Sequence, residues 1–117
     1  MILVDTSVWV DHLRRGNDEL AQLLLEQQVL CHPFVVGELA CGRLTDRAEI
    51  LARLQALPRA RTVEHQEALD FVILRRLMGV GLGWVDVHLL ASAILSGASL
   101  WSLDRNLVRA AARLGLS

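Results

Sequence analysis

Short apolar runs separated by long stretches of helical periodicity constrain this chain more than any other feature. Ile2-Leu3-Val4 opens it, Val29-Leu30-Cys31 follows, and Ser99-Leu100-Trp101-Ser102-Leu103 comes near the end. Runs this short read as buried strands, and the intervening segments space their apolar residues three and four apart. Helices are expected from Val8 to Arg15, with Thr6 or Ser7 as cap, and through Leu20, Leu23 and Leu24 to Gln27 or Gln28. A third opens on Pro33 and ends near Gly42, and a fourth, capped by Asp46, runs from Arg47 to Leu57 and is stopped by Pro58. Three more are expected over Glu64–Met78, Val85–Ser96 and Asn106–Leu114, with a weak strand at Arg61–Val63 and a last edge strand beginning at Leu116. Strands alternating with helices imply an α/β chain with a mainly parallel sheet covered on both faces.

The strand ends carry the chemistry. Asp5 closes the first run and Asp104 follows the last, which places both at the carboxyl edge of a parallel sheet, where such folds build their sites. Glu38 lies within the apolar helix Phe34 to Cys41, and Asp86 follows Gly83-Trp84-Val85. Each acid has a structural reading. Asp104 can cap a helix, Asp86 can complement a helix dipole, and Glu38, among apolar neighbours, can pair with Arg43 or another arginine. Together they repel one another unless a cation compensates, and hard divalent ions take oxygen ligands of this kind.

With 117 residues, one domain spanning 1–117 is the simplest division. A hydrophobic share of 53% and a mean hydropathy of +0.38 are high enough to suggest that a partner covers part of the surface, as a homodimer or a tight complex does. No apolar run reaches the roughly 20 residues that span a bilayer, so no membrane association and a cytoplasmic location are expected. Cys31 and Cys41 are expected as buried, reduced thiols. All 12 basic residues are arginines, yet the net charge is −1, so nucleic-acid contact requires local patches such as Arg14-Arg15 or Arg75-Arg76. Arg105, beside Asp104, is the preferred phosphate contact, and Trp84 the best base-stacking candidate of the three tryptophans. His12, His32, His65 and His88 show no spacing that favours a shared site.

Taken in order, the segments Met1 to Trp9, His32 to Ala40, Gly83 to Ala93 and Leu100 to Asn106 resemble the PIN-domain ribonucleases, and among them the VapC-type toxins of bacterial toxin-antitoxin modules. The resemblance runs along essentially the whole chain and no acid of the tetrad is missing. It implies a PIN-like three-layer α/β/α sandwich in which Asp5, Glu38, Asp86 and Asp104 hold one or two Mg²⁺ or Mn²⁺ ions. It further implies that Thr6 orients water or a ligand and that Ser7 caps the helix. Asn106 stands where many relatives place a polar or acidic group near the metal. The implied activity is metal-dependent hydrolysis of RNA, leaving a 5′-phosphate and a 3′-hydroxyl. The implied partners are an RNA substrate and a cognate antitoxin, with a homodimer or a larger toxin-antitoxin assembly.

Two rival readings stand beside it. A non-catalytic interaction module would keep the fold and use the acidic pocket to receive a partner's basic side chain. A phosphorylated receiver with Asp5 as acceptor needs a lysine partner, and the chain has none.

Overall fold

Leu3 and Val4 are adjacent in the first strand, so their side chains point to opposite faces of the sheet, and both are completely buried. The sheet is therefore covered on both sides, as parallel sheets must be. The computed structural model describes all 117 residues. Three strands, β1 (Ile2–Val4), β2 (Val29–Leu30) and β3 (Ser99–Trp101), lie in the order β2-β1-β3, and every pairing is parallel. Ile2 sits between Val29 and Ser99, and Leu3 between Leu30 and Leu100. The chain leaves β1 toward one edge and later crosses back over it to the other. Right-handed crossovers then put the two connections on opposite faces.

Seven helices provide the layers: α1 (Thr6–Arg15), α2 (Asp18–Leu25), α3 (Pro33–Cys41), α4 (Arg47–Ala56), α5 (His65–Leu74), α6 (Trp84–Ser96) and α7 (Arg105–Arg113). The most buried is α6, whose residues Val87 to Ala93 are all enclosed and which packs against β1 and β3. Leu20, Val35, Leu89, Leu90 and Leu107 join the strand residues in one core, each worth about 1.5–3 kcal/mol of apolar burial. No helix is long and apolar enough to cross a membrane.

Several boundaries differ from the sequence expectation, each for a local reason. Asp5, not Thr6 or Ser7, takes the capping position of α1, because its carbonyl accepts from the amides of Val8 and Trp9. Asp46 does precede α4, but in a left-handed conformation whose side chain makes no cap bond. No strand forms at Arg61–Val63. Instead Cys31 pairs in parallel with Arg59, through Cys31 N–H to the Pro58 carbonyl and Ala60 N–H to the Cys31 carbonyl. Leu116 forms no strand: its carbonyl accepts the Leu100 amide, its only bond to the sheet, and its own amide donates to the Ala111 carbonyl. The helix expected to reach Met78 stops at Leu74. Arg76 turns left-handed at φ 53°, so the Leu77 amide reaches back to Val72 and Leu77 is pulled into the core. Cys31 is buried, and burial pushes its thiol up to about 11, but Cys41 is exposed at the end of α3.

Candidate active site

Asp5 and Asp104 follow strands at the carboxyl edge of the sheet, Glu38 and Asp86 come from helices, and each of the four acids is held by a local bond. Asp5 is buried at the end of β1, with its amide bonded to the Trp101 carbonyl of β3. Its Oδ2 receives two hydroxyl protons, from Ser7 and from Ser102, both at 2.7 Å. Those hydroxyls are themselves fixed, since Ser7 Oγ accepts the Leu103 amide and Ser102 Oγ accepts the Asp104 amide, each at 2.9 Å. Ser7 therefore acts as a brace for Asp5 and the 102–104 turn.

Asp104 caps α7, its Oδ1 accepting from the amides of Asn106 and Leu107. Asp86, in the first turn of α6, accepts the Gly83 amide on Oδ2 at 2.9 Å. Glu38 is exposed on α3 and accepts the Thr6 hydroxyl on Oε1 at 2.6 Å. It makes no ion pair with Arg43 or any other arginine, because the two ion pairs of the chain are Asp11–Arg15 and Glu49–Arg53.

Each acid thus spends one oxygen on a local bond that orients it. The second oxygens, Asp5 Oδ1, Glu38 Oε2, Asp86 Oδ1 and Asp104 Oδ2, have no hydrogen-bond partner, and none is a buried orphan. Their mutual field is visible at Asp86. Burial raises its carboxyl from the ordinary range against the lowering influence of the Gly83 amide, and the charges of Asp5, Asp104 and Glu38 raise it further. Four oxygen donors with no arginine among them suit a hard divalent cation. The carboxylates stand apart, however, and no three acid, histidine or cysteine side chains are close enough to enclose an ion.

Other candidates fall in different places. The Asn106 amide donates to the Gly81 carbonyl at 3.2 Å, tying the glycine-rich segment to α7. Arg15 is committed to Asp11, whose carboxyl is held low first by Asn17 and then by Arg15, while Arg14 lines a groove of about 540 Å³ together with Glu38. Arg105 is exposed in the first turn of α7. Trp84 is 38% exposed beside Asp86 and meets His88 edge-on at 4.9 Å and His65 at 5.2 Å. Three of the four histidines, His32, His65 and His88, are brought together, while His12 packs against Trp9. Phe34 meets His88 at 4.8 Å and His32 at 5.0 Å, forming a row of rings along the start of α3 and α6.

Ser102 is the residue that motif reading overlooked. Its signal was weak but present, because a serine two residues before a helix-capping acid commonly accepts that acid's amide. Replacing Ser102 with Ala removes one of two donors on Asp5 Oδ2. Outer partners of this kind are expected to be worth roughly 10–100-fold in metal affinity or activity, measurable by ion titration of the variant.

His32 was also missed as a cap. Its Nδ1 accepts the Phe34 amide, so Nε2 carries the proton, buried and without a partner. Burial, then His88 and Arg59, lower its pKa from 6.5 to about 4. The unfolded chain takes up this proton near 6.5, so the contribution is complete above that pH and is lost as pH falls toward 4, on the order of 3 kcal/mol. His32→Asn keeps an acceptor for Phe34 and is expected to flatten that part of the stability profile in urea titrations at pH 7 and pH 4.5.

The sequence matches the PIN domain family over residues 2–113. The chain belongs to the PIN domain family. It is 46% identical, over 118 aligned residues, to Ribonuclease VapC32 of Mycobacterium tuberculosis strain CDC 1551 / Oshkosh, covering 100% of this chain and 95% of that protein. The same figures hold for Ribonuclease VapC32 of strain ATCC 25618 / H37Rv. Among solved structures, PAE2754 from Pyrobaculum aerophilum matches with a TM-score of 0.66 at 16% identity, over 99% of this chain and 96% of that one. FitAcB from Neisseria gonorrhoeae matches at 0.60 and 18%, over 96% and 94%. These last two share the fold of this chain.

Proposed function

We propose that this PIN domain is a metal-dependent endoribonuclease of the VapC type, whose four acids hold one or two Mg²⁺ or Mn²⁺ ions and cleave RNA. The observation that carries the reading is the set of four unpartnered carboxylate oxygens on acids whose other oxygens are already tied. The full-length likeness to relatives named as ribonucleases supports RNA as the substrate class. An ion held by these four acids would supply activation of water and neutralisation of charge developing on the phosphate. Asp5 supplies the most rigid ligand, being buried and doubly braced. Glu38 and Asp104 are exposed, each with one free oxygen, and Asp86, whose carboxyl is raised by burial and by the neighbouring acids, is the group whose ionised form a bound cation would favour. Thr6 holds Glu38 in the orientation that leaves Oε2 free.

The VapC likeness extends the proposal to a cytoplasmic toxin neutralised by a cognate antitoxin. The groove shared by Arg14, Glu38 and Ile50 is the site for an antitoxin segment that directs an arginine at the acids. A homodimer is supported by the exposed apolar side chains Leu69, Ile73, Met78 and Trp84, which line one groove of about 480 Å³. The separation of the acids favours a second reading, an interaction module that only receives a basic side chain.

Incubation of total cellular RNA with the purified chain separates the two readings. Discrete fragments with Mg²⁺ or Mn²⁺ and none with EDTA are expected from a nuclease, whereas identical RNA profiles in all three conditions would establish the module.

A further inference from the structure

A polyanion approaching four carboxylates on a chain of net charge −1 needs local cations, and their arrangement is specific. On α7, Arg105, Arg109 and Arg113 stand at i, i+4 and i+8, which places them along one side of the helix. Arg75 and Arg76 lie opposite, at the end of α5, and Arg113 joins the two walls by donating to both their carbonyls, at 2.7 Å and 3.2 Å. Neither residues 71–85 nor residues 105–117 contain an acid, and none of these five arginines has a carboxylate partner. Between the walls runs a groove of about 490 Å³, lined by Gly79, Val80, Gly81, Asn106, Arg109 and Arg113.

The groove has a built floor and a defined start. Asn106 donates to the Gly81 carbonyl, and Gly81 has φ 81° with Asn106 packed where a side chain would stand, so no bulk can replace this glycine. The amide of the same Asn106 is bonded to Asp104, so the groove begins beside that acid.

We infer that this groove is a phosphate track, in which Arg109 grips the backbone of single-stranded RNA leading away from the cleavage site and Arg105, one turn nearer Asp104 on the same side of α7, receives the strand as it enters. The inference rests on the ribonuclease reading for the identity of the polyanion. The arginines of α7 advance about 6 Å per step, the same order as the through-space separation of neighbouring phosphates along a nucleic-acid strand. Bidentate guanidinium contacts give register without reading bases, so the track sets affinity and direction, not sequence preference. Arg113, committed to the α5 carbonyls, holds the walls together.

The test measures binding apart from cleavage, in a Glu38→Gln background, with a labelled twelve-nucleotide oligouridylate across a range of salt concentrations. Arg109→Ala is expected to weaken binding roughly tenfold and to make the salt slope shallower by about 0.7. Arg109→Glu should weaken it further, and Arg109→Lys should recover part of the loss. Arg53→Ala, on an exposed arginine of α4 paired with Glu49, serves as the control and should match the parent. Arg109 variants that bind with the parent's affinity and slope would overturn the track, as would tighter binding of polyglutamate than of the oligonucleotide. Cleavage by the otherwise unchanged chain is scored separately, so a failed track and a failed nuclease assignment give different results.

Discussion

Glu38→Gln is expected to lower RNA cleavage by at least on the order of a hundredfold, the scale set by removal of one preorganised electrostatic group from an active site, without weakening the fold. Glu38 is exposed and has no arginine partner, and glutamine retains a carbonyl oxygen for the Thr6 hydroxyl. Unfolding free energy should therefore stay within about 0.5 kcal/mol of the parent. The substitution also removes one of three charges that raise the Asp86 carboxyl, so that group should titrate closer to its ordinary value in the variant. Carboxyl chemical shifts followed through a pH titration give this second readout. If activity survived in the folded variant, Glu38 would not belong to the chemistry, whatever its position.

Leu3→Ala carries the largest expected stability loss. Leu3 is fully buried in the central strand, between Leu30 and Leu100 and beneath the helices of one face. Truncation removes three heavy atoms from a site whose strand neighbours are held in parallel register and cannot close the gap, so the cost is about 2–5 kcal/mol. For a chain of this size that is a large share of the total. The denaturation midpoint should fall with the slope unchanged, because the surface exposed on unfolding is nearly the same. Asp5 lies two residues beyond, so a loosened β1 should reduce activity along with stability, unlike Glu38→Gln.

The contrast between the two residues shows what was legible in the sequence. Leu3 and Val4 could be placed in a buried strand because an apolar run ending in a single acid leaves little else for them to do. The parallel sheet and the order of helices followed from the same alternation. Asp5, Asp86 and Asp104 could be singled out because each stands at a boundary between apolar sequence and a helix. The bracing could not be seen. Ser7 and Ser102 are 95 residues apart, and only the pairing of β1 with β3 brings both onto one oxygen of Asp5. Glu38 was expected among buried groups, but Phe34 and Cys41 on its helix are themselves exposed, and the acid faces solvent.

Helix ends were misjudged where the turn residue is not glycine. Gly97 and Gly115 announce left-handed turns, while Gln27 and Arg76 adopt the same conformation unannounced. A buried residue three positions past the helix, such as Leu77 after Leu74, supplies the driving force there. Arg75-Arg76 and Arg105 were marked in the sequence as candidate phosphate contacts, but the row of rings from His32 to His65 and the bonds that join Arg113 of α7 to the end of α5 were hidden for a further reason. Both are assembled from helices distant in sequence, and within any one helix their residues look like ordinary surface.

The ends of the RNA products test most directly the claim that the four acids support attack by water on a phosphodiester. Fragments produced with Mg²⁺ or Mn²⁺ should carry 5′-phosphates and 3′-hydroxyls, as shown by direct ligation without kinase treatment. Fragments ending in 2′,3′-cyclic phosphates with 5′-hydroxyls would mean that the ribose hydroxyl is the nucleophile, and would contradict the account.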